Sequence, residues 1–480
     1  MAITKWVVNG CVLTFLLSNN AWAGADPVAE LSGLVNKLQE QMTQMQDTIR
    51  QQNDKIELLQ SQVAERSTGG AMIAGGQATQ GSFDENLRAK IGDADKWLKD
   101  LRFSGDFRLR YEAFHFTSAS AAETDDRNRF RYRLRFGFDK KLGKEFNVGV
   151  GFISGETAGT GADSGLQVDP TSTNTSFDNL FNYKDIFIDK AFAVYNPEWA
   201  IVGPVEKLEI GGGKFTNPFE KGSSELVWDR DVKPEGVYEK AELALLDTDD
   251  VDVKGYAIAG QFVLDEDATG GSSADSELFA YQGGLKLSVR TPFAEEPVGF
   301  LSAFSFYDYL DYAQASNFTI GATSLARGNS NFVGPGTELD AEDFNIIEWY
   351  NESSFDLYQI PLRPFVDVAH NAANESDQND EAWAWALGTK VGDVKKKGDW
   401  ELGYSYRRIE NDSVVGAFND SDFGLGFAGK RGNQIKLAYA LTDFLQLNGA
   451  VSFVNNLATG TSSVRDEEQR RFQLDLLWKF

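Results

Sequence analysis

Polar and apolar residues alternate without a break from Arg129 to Phe138. Successive side chains of a strand point to opposite faces, so Phe130, Tyr132, Leu134, Phe136 and Phe138 share one surface. Arg127, Arg129, Arg131, Arg133 and Arg135 share the other. A soluble half-buried strand would also alternate, but the same rhythm recurs from residue 101 to 480 with large aromatics on one parity and little helix to cover them. This predicts an all-β transmembrane fold, an antiparallel up-and-down barrel of about sixteen strands around a polar lumen.

The strand candidates fall near 101–114, 128–139, 145–154, 184–195, 207–215, 235–245, 252–264, 277–290, 298–311, 344–356, 362–370, 382–391, 400–410, 433–441, 445–455 and 469–480. Short connections such as 140–144, 291–297, 357–361 and 442–444 take turns with long polar ones such as 154–183, 216–234, 312–343 and 411–431. Outer-membrane barrels show this asymmetry, with short periplasmic turns, long outer loops and an even strand number. In the last candidate, Phe472, Leu474, Leu476, Trp478 and Phe480 share one face. A terminal Phe on an alternating strand resembles the assembly signal of outer-membrane proteins.

The first hundred residues follow other periods. Lys5, the apolar run 6–17 and Ala21-Trp22-Ala23 read as a signal peptide over 1–23, with cleavage before Gly24. The single cysteine, Cys11, lies inside it, so the mature chain has neither disulfides nor thiolate metal sites. Over 24–66 a heptad appears, with Val28, Val35, Met42, Ile49, Ile56 and Val63 at a and Leu31, Leu38, Met45, Gln52, Leu59 and Arg66 at d. This predicts a periplasmic coiled coil that oligomerises the chain. β-branched a residues with Leu at d lean towards two strands, Gln52 could set another state, and the heptads leave the stoichiometry open. Residues 67–100 read as a Gly-rich linker and a short amphipathic helix at 84–100, leaving 101–480 for the barrel.

A formal net charge of −26 argues against a general nucleic-acid binder, which would expose clustered Lys and Arg. With 46 Gly, 11 Pro and 12% aromatic residues, the composition suits turn-rich β architecture better than an α/β enzyme. No later run approaches the ~20 apolar residues of a membrane helix. A membrane-spanning mature chain must therefore cross as a closed barrel.

An Arg facing lipid at mid-bilayer costs ~2–4 kcal/mol, so the arginine ladder must face inward. Arg108 and Arg110 share the parity of Ser104 and Asp106, and antiparallel pairing sets them side by side with the ladder of Arg127 to Arg135 as a pore-lining cationic wall.

Several stretches resemble the putative-porin family of bacterial outer membranes. They are 101–111 (LRFSGDFRLRY), 213–219 (GKFTNPF), 227–231 (VWDRD), 234–236 (PEG), 398–401 (GDWE), 404–407 (YSYR) and 421–424 (SDFG). The resemblance covers essentially the whole mature chain. It implies passive diffusion of small hydrophilic solutes through a trimeric outer-membrane barrel, with lipid as its surroundings. It also makes the third outer loop, with Glu220, Glu225, Asp229 and Asp231, the expected constriction. Facing the arginine wall, these acids would set a transverse field; the alternative is a solvated loop with ordinary acidic residues. Charges lining the narrow part outweigh those spread over outer loops, which salt screens beyond ~8 Å. If the arginine ladder lines the constriction a weak anion preference follows, and if the loop acids protrude further cations win; the first case is the one expected.

Two other classes compete. A barrel hydrolase needs a paired histidine, but Asp367 and His370 sit on opposite faces of a strand, and His115 opens a loop with no base close in sequence. A structural tether would use the coiled coil to contact the cell wall, yet no wall-binding domain precedes it. No catalytic residue and no cofactor is expected. Asp247, Asp249, Asp250 and Asp252 read as a solvated turn, not a metal site.

Overall fold

The computed structural model describes residues 100–117, 126–155, 169–181, 183–220, 222–266, 275–292, 296–312, 319–320, 323–324, 327–329, 344–373, 381–457 and 468–480. The signal segment and the heptad residues Val28 to Val63 lie outside them. So do the linker and all but the last residue of the short helix.

Among the described residues, sixteen long strands follow one another: β1 (Leu101–Thr117), β2 (Arg127–Leu142), β3 (Phe146–Gly155), β4 (Asp185–Tyr195), β5 (Val205–Lys214), β6 (Glu235–Asp247), β7 (Val251–Asp265) and β8 (Ser276–Val289). After them come β9 (Val298–Leu310), β10 (Phe344–Leu357), β11 (Ile360–Asn371), β12 (Trp383–Gly392), β13 (Trp400–Ile409), β14 (Lys430–Ala440), β15 (Leu445–Asn456) and β16 (Glu468–Lys479). Each pairs antiparallel with its sequence neighbours, and β1 also pairs with β16 from Asp106 opposite Lys479 to Thr117 opposite Glu468. The sheet is thereby a closed barrel.

The expected strand ends hold to within three residues. β1 runs on to Thr117, β2 to Leu142, and β14 starts at Lys430. Pairing is made by the backbone, so a ladder extends past the apolar stripe wherever its neighbour extends too. The register sets Arg108 opposite Arg133 and Arg110 opposite Arg131.

Burial is inverted relative to a water-soluble barrel. Phe130 is 51% exposed and Phe472 41%, whereas Arg110 is 5% exposed, Glu112 0% and Asp475 6%. Apolar side chains cover the outside, and on β16, β1 and β2 polar ones line the inside, as expected when hydrocarbon is the outer solvent. The closing seam needs Gly105. Its N–H donates to the Phe480 carbonyl at 2.8 Å and its carbonyl accepts from the Phe480 N–H at 3.0 Å. A Cβ there would meet the Phe480 ring at 2.7 Å.

One side of the lumen is dry. Tyr238, Tyr256, Phe262, Tyr307, Tyr309 and Tyr350 point inward from β6 to β10 and pack against Phe219, Leu226, Val227 and Trp228 of the β5–β6 connection. Val414, Val415, Ala417 and Phe423 of the β13–β14 connection join the same cluster. Loops this apolar bury themselves against the inner wall instead of floating in water.

Candidate functional site

The inner wall of β16, β1 and β2 carries the arginine ladder, and the structure gives it acids that the ladder alone did not announce. Arg110 holds Asp475 in a fork, Nε to Oδ1 and Nη2 to Oδ2 both at 2.8 Å. Glu112 accepts from Arg129 and Arg471 at 2.5 Å each and from Gln473 at 3.0 Å, with Arg110 and Arg131 at 3.6 Å. Lower down, Asp106 takes Arg135 at 2.8 Å and Arg133 at 3.3 Å. Arg108 donates to the Asn174 side chain at 2.5 Å, and Arg131 to the Asn174 carbonyl at 2.7 Å. Arg127 stands exposed at the outer end of β2. The expected row of seven like charges is therefore an interleaved ion network, because Asp106, Glu112 and Asp475 share the parity of the arginines. Glu112 and Asp475 could have been found by the same period of two.

The connection from residue 215 to 234 folds into the barrel, and its acids separate. Only Asp231 meets the ladder, with Arg133 at 3.1 Å and Arg135 at 3.3 Å. Glu220 reaches Lys240 at 2.7 Å and Lys286 at 3.0 Å on β6 and β8. Glu225 pairs with Arg230 of its own loop at 2.8 Å and with Lys436 of β14 at 3.4 Å. The loop is stapled to three parts of the wall, so its acids do not form one face opposed to the arginines. Burial pushes Asp231 up, but Arg133 and Arg135 outweigh it and hold the carboxyl below its usual range. Lys240 and Lys286 do the same for Glu220 against its own burial.

Asp229 does something else. Its carboxylate accepts the N–H of Asp231 at 2.7 Å and that of Ser421 at 2.9 Å, while its own N–H donates to the Phe418 carbonyl at 2.7 Å. It clasps the two inward loops together. Burial, then Asp420, Asp231 and Glu225, push its carboxyl well above the ordinary range. Trp228 strengthens the clasp, donating to the Tyr309 hydroxyl at 3.1 Å and lying 5.6 Å from the Phe418 ring.

The β13–β14 connection supplies two more acids. Asp420 accepts from Arg407 at 2.7 Å. Asp422 accepts from Arg110 at 2.9 Å and Arg471 at 3.0 Å. Sequence reading missed Asp420 and met Asp422 only within the 421–424 resemblance, giving it no role, since loops carry no period; the apolar run 414–418 inside an outer connection was a further signal. Residues 327–329 brace this loop, with the Asn329 side chain donating to the carbonyls of Asn411 and Val414 at 2.7 and 2.9 Å.

The histidines are well apart. Asp367 is buried on the lumen side of β11, while His370 stacks on Trp383 at 4.2 Å on the other face. His115 does have a carboxylate partner, Asp126 at 2.6 Å, contrary to the reading from sequence proximity. The pair is exposed, and among the described residues the Thr117 hydroxyl lies 3.5 Å from the other ring nitrogen, longer than the ≈ 2.6–3.2 Å of an activated nucleophile.

A closed sixteen-strand barrel with an apolar exterior, a charged bore and loops folded into it is a porin-type channel of the outer membrane. The chain belongs to the family described as "Putative porin", whose model matches residues 118–332 and 345–480. Among solved structures it is similar to OprB of Pseudomonas putida at high pH, with 13% identity and a TM-score of 0.45 over 82% of this chain and 97% of that one. OmpF of Salmonella typhi in complex with daunomycin matches at 10% identity and TM-score 0.44, covering 79% of this chain and 97% of that one. The channel DcaP of Acinetobacter baumannii gives 11% and 0.40 over 79% and 97%. No curated protein matches.

Proposed function

We propose that the chain is a passive diffusion pore for small hydrophilic solutes with a weak preference for anions. The observation that carries this reading is the charge on the wall of β16, β1 and β2. Among the described residues, seven guanidinium groups (Arg108, Arg110, Arg129, Arg131, Arg133, Arg135, Arg471) contact five carboxylates (Asp106, Glu112, Asp231, Asp422, Asp475). Seven against five leaves two positive charges beside the loop that narrows the bore. The acids that make the total charge −26 count for less wherever they lie more than ~8 Å from the path. The pore works as a homotrimer clasped in the periplasm by the coiled coil at 24–66, and no bond is made or broken during passage.

Planar-bilayer recording of the detergent-purified full chain under a salt gradient tests this. A steady current with an anion-selective reversal potential is expected. A cation-selective reversal potential rejects the preference, and a flat current rejects the channel.

A further inference from the structure

Three donors converge on a single oxygen of Asp422. Arg110 Nη1 lies 2.9 Å from Oδ1, Gln473 Nε2 2.9 Å and Arg471 Nη2 3.0 Å. All three donors belong to the barrel wall, on β1 and β16, and each is at least nine-tenths buried. The wall supplies most of what holds them, the loop adding only the Ser421 carbonyl, which accepts from Arg471 Nη1 at 2.6 Å. The Asp475 fork fixes Arg110, and Glu112 fixes Arg471 and Gln473. Phe114 lies under the Arg471 guanidinium, 5.1 Å from ring centroid to Cζ.

The occupant is of another kind. Asp422 rides on the connection between β13 and β14, and its side chain keeps a quarter of its surface exposed. Burial pushes its carboxyl up, but Arg110 and Arg471 outweigh that and hold it well below the usual range, so the occupant is anionic at neutral pH. Asp231 repeats the arrangement further along the ladder, again a loop carboxylate seated on two wall arginines. Exchange needs only the Asp422 side chain to turn aside, while its N–H stays on Asp420 at 2.9 Å and its carbonyl on Gln434 at 3.1 Å. The wall is thus a preorganised anion receptor, and the loop acid is an exchangeable tenant.

Building on the channel reading above, we propose that small organic carboxylates bind in place of Asp422 on Arg110, Arg471 and Gln473 as they pass. The seat already fits a carboxylate, the group that planar guanidinium donors match in shape and charge. If Asp422 leaves, seven guanidiniums face four remaining carboxylates, an excess that one or two solute carboxylates neutralise. Tethering makes Asp422 an intramolecular competitor, so a solute binds only at a concentration that offsets it.

The experiment records single channels of the full chain in KCl while succinate, inorganic phosphate or an uncharged sugar is added. Succinate is expected to produce concentration-dependent current interruptions, and the other two far fewer. D422N, which leaves a neutral and more weakly held tenant, should lower the half-effective succinate concentration about tenfold. R471Q should abolish the interruptions; should that variant fail to insert, D422N decides alone. A KCl current with no succinate effect overturns the seat but leaves the channel standing, as does an unchanged half-effective concentration in D422N. Phosphate acting as strongly as succinate overturns the carboxylate assignment. A flat KCl current from folded, inserted protein overturns the channel itself.

Discussion

Replacing Glu112 by Gln removes the one negative charge around which four arginines gather. The side chain is fully buried, with Arg129 and Arg471 at 2.5 Å and Arg110 and Arg131 at 3.6 Å. Exposed ion pairs contribute ~0–1 kcal/mol, whereas removing one partner of a buried pair costs ~3–5 kcal/mol because the other charge is left unpaired. Glu112 belongs to the second case, and Gln restores only part of the hydrogen bonding. E112Q should lose about 3 kcal/mol or more. Urea unfolding in detergent, followed by far-UV circular dichroism and by the gel shift between folded and unfolded barrels, measures it. Glu468→Gln is the control, since Glu468 pairs with the exposed Arg470 at 2.9 Å and should cost at most ~1 kcal/mol. If E112Q proves as stable as E468Q, the arginines are solvated by water and counter-ions, and the ion network does not hold the wall.

D231N should leave Asp106 as the one carboxylate on Arg133 and Arg135 and move the reversal potential further towards anion selectivity; no movement would place these arginines off the ion path. D229A removes the acceptor for two loop N–H groups, each costing ~1–3 kcal/mol if left unpaired, and should give noisier single-channel currents. In the intact protein burial and the neighbouring Asp420, Asp231 and Glu225 raise the Asp229 pKa on folding, so its net contribution to the stability of the joined loops is full below the usual ~3.9 and is lost as pH rises through the elevated folded value. Currents should then be quieter at acidic pH, and a noise level independent of pH would count against the clasp. Gly222, at φ +51° and against the Tyr350 hydroxyl that accepts from Ser223 N–H at 2.7 Å, should not tolerate Ala; an unchanged G222A conductance would show that this contact does not position the loop. Deleting residues 28–66 should reduce the detergent-extracted oligomer to monomer by light scattering, and an unchanged mass would refute the trimer clasp.

The barrel was legible because a strand between lipid and water must alternate, and this chain alternates with aromatics such as Phe130 and Phe472 on one parity. The side-by-side arginine rungs followed from antiparallel pairing of β1 and β2. Their neutralisation was partly readable, since Glu112 and Asp475 obey the same parity. Destinations of loop acids were not readable: Glu220, Asp229 and Asp231 are near in sequence yet reach lysines, backbone N–H groups and arginines respectively. Nothing local distinguishes such carboxylates; the packing of Trp228, Phe219 and Val415 decides where each one lands.

The bonds from Arg110 to Asp475 and from Arg471 to Glu112 span 365 and 359 residues and cross the seam where the first strand meets the last. Charges that line the bore therefore also weld the cylinder shut. Anyone retuning selectivity by stripping these strand residues would loosen the weld with the same stroke, whereas loop carboxylates such as Asp422 and Asp231 can be exchanged with the joint left intact. Nature and the protein engineer alike have more freedom at the plug than at the wall.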